Sequence, residues 1–163
     1  MKKRKKYQKR KRISKDIPNK VTLRKHADAL WSIAVRSDWA WKCAACQNTT
    51  VEAHHIFPRQ HQATRYVLRN GIALCALHHK LHPEMSPHGG TPDGWRDWLK
   101  KYQHELYFWY KETEDINGHK AFDGTTNADY YIETIKRLKE YVDEDAFVRI
   151  VGVKFSRWLE ESE

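Results

Sequence analysis

Six of the ten histidines in this 163-residue chain fall between His54 and His82, and all three cysteines lie in or just before that window. An even scatter would put roughly two histidines there. An odd number of cysteines cannot all pair, so Cys43, Cys46 and Cys75 point to metal or free thiols rather than a disulfide framework. Cys43-Ala-Ala-Cys46 and Cys75-Ala-Leu-His78 are two ligand pairs, each with two intervening residues. Each pair on a tight turn presents both donors to one ion, and four protein donors close a tetrahedral zinc site of the structural kind. A Cys75-x₃-His79 pair fits zinc as well, which would free His78 and His82 for another ion.

Around this cluster the chain reads as short elements. Leu23, Ala27, Leu30 and Ala34 recur at helical spacing, widened by Trp31 and Ile33, and predict an amphipathic helix over residues 21–36. Residues 51–57 and 71–74 read as two strands, and 76–82 as a short helix stopped by Pro83. The Gly- and Pro-rich stretch 83–94 is a loop. A helix over 95–111, a polar turn-like stretch over 112–127 and a helix over 129–142 follow; 147–155 fits strand or helix equally. The expected organisation is a basic arm over 1–19, one domain over 20–111, and a helical extension over 112–163 packing on it.

The net charge of +9 belongs to that arm. Lys2, Lys3, Arg4, Lys5, Lys6, Lys9, Arg10, Lys11, Arg12 and Lys15 supply ten of the 30 basic residues; the other 20 balance 21 acids. A block of like charge calls for a polyanionic partner, and nucleic acid held by counterion release is the leading case. No apolar run follows it, as a secretory signal would require. No segment approaches the roughly 18 apolar residues of a membrane span, and the expected setting is intracellular.

The run Glu52-Ala53-His54-His55-Ile56-Phe57-Pro58-Arg59, then Thr64-Arg65-Tyr66, then Asn70-Gly71-Ile72-Ala73-Leu74-Cys75, then His78-His79 resembles the HNH endonuclease family. It is most similar to phage-type members that carry a Cys-x-x-Cys before the motif. The resemblance spans about residues 21–83 and implies an α+β fold: a ββα-metal module with structural zinc, flanked by α-helices. It also implies metal-dependent hydrolysis of DNA phosphodiester bonds, with a nick as the elementary event. His55 matches the general base and Asn70 the asparagine that holds it. His54 and His79 match ligands of a catalytic Mg²⁺, Mn²⁺ or other divalent ion, with His82 as a further ligand. Arg59 and Arg65, in the loop between the strands, offer guanidinium forks to phosphate. By the same resemblance the setting is the cytoplasm of an infected bacterial host, with phage packaging or recombination proteins as partners. Two other readings are a non-catalytic zinc-stapled module that binds nucleic acid, and a nuclease active only with such a partner. His26, His61, His88, His104 and His119 have no motif support and read as structural or exposed.

Overall fold

The computed structural model describes residues 16–117 and 126–162. The arm residues Lys2, Lys3, Arg4, Lys5, Lys6, Lys9, Arg10, Lys11 and Arg12 lie outside them. The chain is mostly helical with one small antiparallel sheet, an α+β arrangement.

Helix α1 (Lys20–Asp38) starts at Asn19, whose side chain accepts from the Thr22 backbone N–H at 3.0 Å. That bond satisfies one of the donors a helix start leaves open. Of its predicted face Leu23, Ala27, Leu30, Trp31 and Ala34 are all at most 2% exposed, while Ile33 is half-buried and Val35 is buried in addition. Strands β1 (Glu52–His55) and β2 (Gly71–Leu74) pair in the register Glu52↔Leu74, Ala53↔Ala73, His54↔Ile72 and His55↔Gly71. Gly71 is obligatory here. A Cβ on it would run into the Val35 side chain, so only glycine lets β2 lie this close to α1. Trp39 seals the same contact by donating its Nε1–H to the Gly71 carbonyl at 3.2 Å.

After β2 comes a π-helical turn over Leu77–Leu81, where a helix was expected. Helix α2 (Pro92–Tyr102) opens with Thr91 capping the Gly94 N–H and Pro92 in the first turn. Helix α3 (His104–Asn117) follows directly. The single expected helix over 95–111 is thus two, broken at Gln103 (φ −134°), and it runs on into the stretch expected to be turn-like. The break costs little, because the Gln103 N–H still reaches the Leu99 carbonyl at 2.8 Å, and it lets Leu106, Tyr107 and Tyr110 turn inward. Helix α4 (Ala128–Lys139) is capped by Asn127. The undecided 147–155 segment belongs to two short helices, α5 (Glu144–Val151) and α6 (Val153–Glu161), separated by Gly152 at φ +84°. That left-handed conformation is one glycine adopts without strain.

Two apolar clusters result. One packs α1 against α4, α5 and α6 through Leu23, Leu30, Ile135, Leu138, Phe147 and Phe155. The other gathers Cys43, Ile72, Leu74, Met85, Trp95 and Leu99 beneath the sheet and α2. Among the described residues no helix is long and apolar enough to cross a membrane.

Candidate active site

The Cys43–Cys46 turn is held by the Gln47 N–H to the Cys43 carbonyl (2.9 Å) and the Cys43 N–H to the Asn48 carbonyl (2.8 Å). Gln47 takes φ +64° to close it. The Ala44 N–H reaches the Ala73 carbonyl at 2.9 Å, which hangs the turn on β2 beside Cys75. The π-helical turn then swings His78 over. Cys46 Sγ and Cys75 Sγ stand 3.7 Å apart, Cys43 Sγ and His78 Nδ1 3.7 Å, and Cys75 Sγ and His78 Nδ1 3.3 Å. All four donors lie within 4.8 Å of one another. A tetrahedron with metal–sulfur bonds of about 2.3 Å has edges of about 3.8 Å, so the group fits a zinc ion. Burial pushes the Cys43 thiol up, but the backbone N–H groups of Cys75, Ala45 and Cys46 prevail and leave it below the ordinary thiol value. That favours the thiolate at Cys43, while at Cys46 the Asn48 backbone N–H pulls down but burial and the neighbouring Cys75 and Cys43 thiols prevail and push the thiol up. His78, not His79, is the histidine among the thiols.

A second group forms on the other side of the turn. Side chains alternate along a strand, so Glu52 and His54 share one face of β1 while Ala53 and His55 share the other. His54, 9% exposed, has its Nδ1 3.1 Å from His79 Nε2. The Nδ1 of His79 is 2.6 Å from Glu52 Oε2, and Lys80 Nζ bonds the same carboxylate at 2.7 Å. His79 therefore donates Nδ1–H to Glu52 and keeps a lone pair on Nε2, the arrangement of a histidine prepared to bind metal. His88 completes the group, its ring 4.9 Å from His54 and 4.8 Å from His79, and the donor atoms of all three lie within 4.8 Å of one another. Burial, reinforced by His79, His88 and His55, pushes His54 down to about 3. The imidazole is neutral at neutral pH, and a proton does not compete for its lone pair.

His88 comes from the loop that offered no motif. Ser86 Oγ donates to the His79 carbonyl at 3.0 Å and accepts from the Gly89 N–H at 2.8 Å, folding the loop back on the turn. A Cβ on Gly89 would meet the Lys80 carbonyl, and one on Gly90 the Glu84 carbonyl. The glycines are what permit this approach, and they were the one sequence signal for it. His82 stands elsewhere than expected. Its Nδ1 accepts from the backbone N–H groups of Glu84 and Met85 at 3.3 and 3.2 Å, and its ring faces His78 at 5.7 Å, outside the three-histidine group.

His54, His79, His88 and His55 line one cleft of 580 Å³, with Arg59 and Trp95 in its walls. His55 Nε2 lies 3.0 Å from the Arg65 carbonyl, which only an N–H can satisfy. This fixes the tautomer and leaves the lone pair on Nδ1. Burial pushes His55 down to about 4, against an opposing pull from that carbonyl. Asn70, fully buried, makes no bond to His55 itself. Its amide oxygen accepts from the Phe57 N–H at 2.6 Å, and its NH₂ donates to the Phe57 and Thr64 carbonyls at 3.0 and 3.1 Å. It ties Phe57 to Thr64, next to the Arg65 whose carbonyl meets His55.

Arg65 differs from expectation. Its Nε and Nη2 bind Asp28 at 2.8–3.1 Å and its Nη1 donates to the Arg59 carbonyl at 3.1 Å. The side chain is 11% exposed, so its fork serves the fold and is not free for phosphate. Arg59 is exposed at the cleft.

Residues 43–84, about a quarter of the chain, match the family model described as HNH endonuclease. No curated protein and no solved structure matches the chain.

Proposed function

We propose that the chain is a metal-dependent HNH endonuclease that hydrolyses DNA phosphodiester bonds, built on a ββα-metal module with a structural zinc ion. The observation that carries this is the shared cleft: a three-histidine group and a histidine with a fixed tautomer open into the same 580 Å³. A module folded by zinc alone has no use for a second donor group opening into a cleft.

In this reading His54, His79 and His88 hold the catalytic ion, with Glu52 orienting His79. Bound there, such an ion would supply positive charge at the phosphate and at the departing 3′ oxygen. His55 Nδ1 accepts a proton from water as the water oxygen bonds to phosphorus. The P–O3′ bond breaks with its electron pair on the 3′ oxygen, which takes a proton from solvent water, leaving 5′-phosphate and 3′-hydroxyl ends. A pKa near 4 keeps His55 unprotonated and ready at neutral pH. Arg59 contacts the flanking backbone, and the arm at residues 2–15 adds sequence-independent affinity. Three imidazole donors suit Zn²⁺ or Ni²⁺ better than the oxygen-seeking Mg²⁺ or Mn²⁺ that the family resemblance suggested.

The test is nicking of supercoiled plasmid across a panel of divalent ions, comparing the unaltered chain with His55→Ala at matched zinc content. We expect metal-dependent nicking that falls at least 100-fold in the variant. Equal activity in both would overturn the assignment of the base. DNA binding with no cutting by either would favour the non-catalytic module.

A further inference from the structure

Helix α1 lies outside the residues that match the nuclease family, yet it meets His55 once directly and once through Arg65. The Trp31 indole lies flat against the His55 imidazole, centroids 3.7 Å apart and planes inclined by 11°. Trp31 is itself pinned: it is 2% exposed, and its Nε1–H donates to the Val67 carbonyl at 3.2 Å. One helical turn earlier, Asp28 takes the Arg65 Nη2 on both carboxylate oxygens at 2.8 Å and the Tyr66 hydroxyl at 2.9 Å. Arg65 is the residue whose carbonyl receives the His55 Nε2–H. Residues three apart on a helix share a face, so one helical surface grips the ring from its side and from its far nitrogen.

We propose that α1 is part of the catalytic apparatus, with Trp31 and Asp28 as positioning residues that fix the plane and tautomer of the His55 imidazole. Trp31 forbids tilt of the ring. Asp28 anchors the Arg65 backbone, and that carbonyl keeps the proton on Nε2 and the lone pair on Nδ1. The bidentate geometry matters because a single-point contact would let the loop pivot. This role rests on His55 being the base, but the grip on the ring is a property of the fold and is measurable without any cleavage.

The test uses the full chain with ¹⁵N-labelled histidine and three variants: Asp28→Asn, Trp31→Met and Trp31→Phe. The unaltered protein should show His55 as one tautomer, protonated on Nε2. Asp28→Asn should show mixed tautomers, and Trp31→Met an exchange-broadened ring. In single-turnover cleavage each should lose about tenfold or more in rate with DNA affinity and zinc content unchanged, since small misplacements of a reacting group cost that much. Trp31→Phe, which keeps an aromatic face, should recover most of the rate. A single unchanged tautomer and full rate in Asp28→Asn and Trp31→Met would overturn the proposal. So would a loss of rate matched by a loss of zinc or DNA affinity. If Trp31→Met does not fold, Asp28→Asn decides, because it removes charge without changing volume. If the unaltered chain cuts no DNA, the nuclease reading fails while the tautomer still decides the grip.

Discussion

His78 and His79 are neighbours in sequence and belong to different worlds. His78 turns its Nδ1 to three cysteine sulfurs, and His79 turns its Nε2 to His54 and His88. The first group has four donors, and His78 among them lines a groove beside α2. The second has three donors, a carboxylate behind one of them and a cleft in front. The difference teaches how a single helical turn divides labour. Successive side chains on a turn diverge, so His78 meets the thiols while His79 faces the cleft. On the proposed reading donor chemistry follows the same division, with thiolates suited to a closed structural site and imidazoles to one that keeps coordination positions open.

The largest effect is expected at the thiols. Cys43→Ser should unfold the region around β1 and β2, because metal binding in such a site is folding free energy. Circular dichroism and zinc analysis should report a lost melting transition together with lost zinc. A folded, zinc-free variant would mean that the two groups do not differ in kind.

A smaller effect should come from Glu52→Gln. The amide removes the acceptor charge behind His79 without changing shape, and such partners are worth about 10–100-fold in metal affinity. Competition titration of the weaker-bound ion should show that drop while zinc at the thiols is unmoved. An unchanged affinity would reduce the 2.6 Å contact to a surface ion pair with His79 and Lys80.

A further effect, absent at neutral pH, is on the acid limb of stability. His54 is held near 3 in the fold, below the ordinary value of about 6.5. Between those values the unfolded chain binds a proton that the fold refuses, so stability rises with pH and fades as pH falls from about 6.5 towards 3. Melting temperatures of His54→Gln should decline less steeply than those of the unaltered chain over that window, at matched zinc content. Parallel curves would show that burial of His54 carries no such cost.

Much of this division was legible in the sequence. The Cys-x₂-Cys and Cys-x₂-His spacings brought together the donors that the fold unites, and the α1 stripe and the Gly71–Leu74 strand fall where the pattern put them. What stayed hidden was tertiary. His88 sits in a loop with no periodicity, and only backbone approaches at Gly89 and Gly90 carry it to His54. Arg65 reads like any loop arginine until Asp28, 37 residues earlier, is seen to occupy it. The Trp31 stripe position announced burial but not that its face would meet His55. The break at Gln103 has neither glycine nor proline to mark it.

Native mass spectrometry of zinc-loaded protein would show whether the adjacent His78 and His79 serve two separate ions. The unaltered chain should carry two ions, one resistant to mild chelation. His79→Ala should keep the resistant ion and its fold while losing the second ion. His78→Ala should lose the resistant one. Loss of the resistant ion in His79→Ala, or its retention in His78→Ala, would contradict the account.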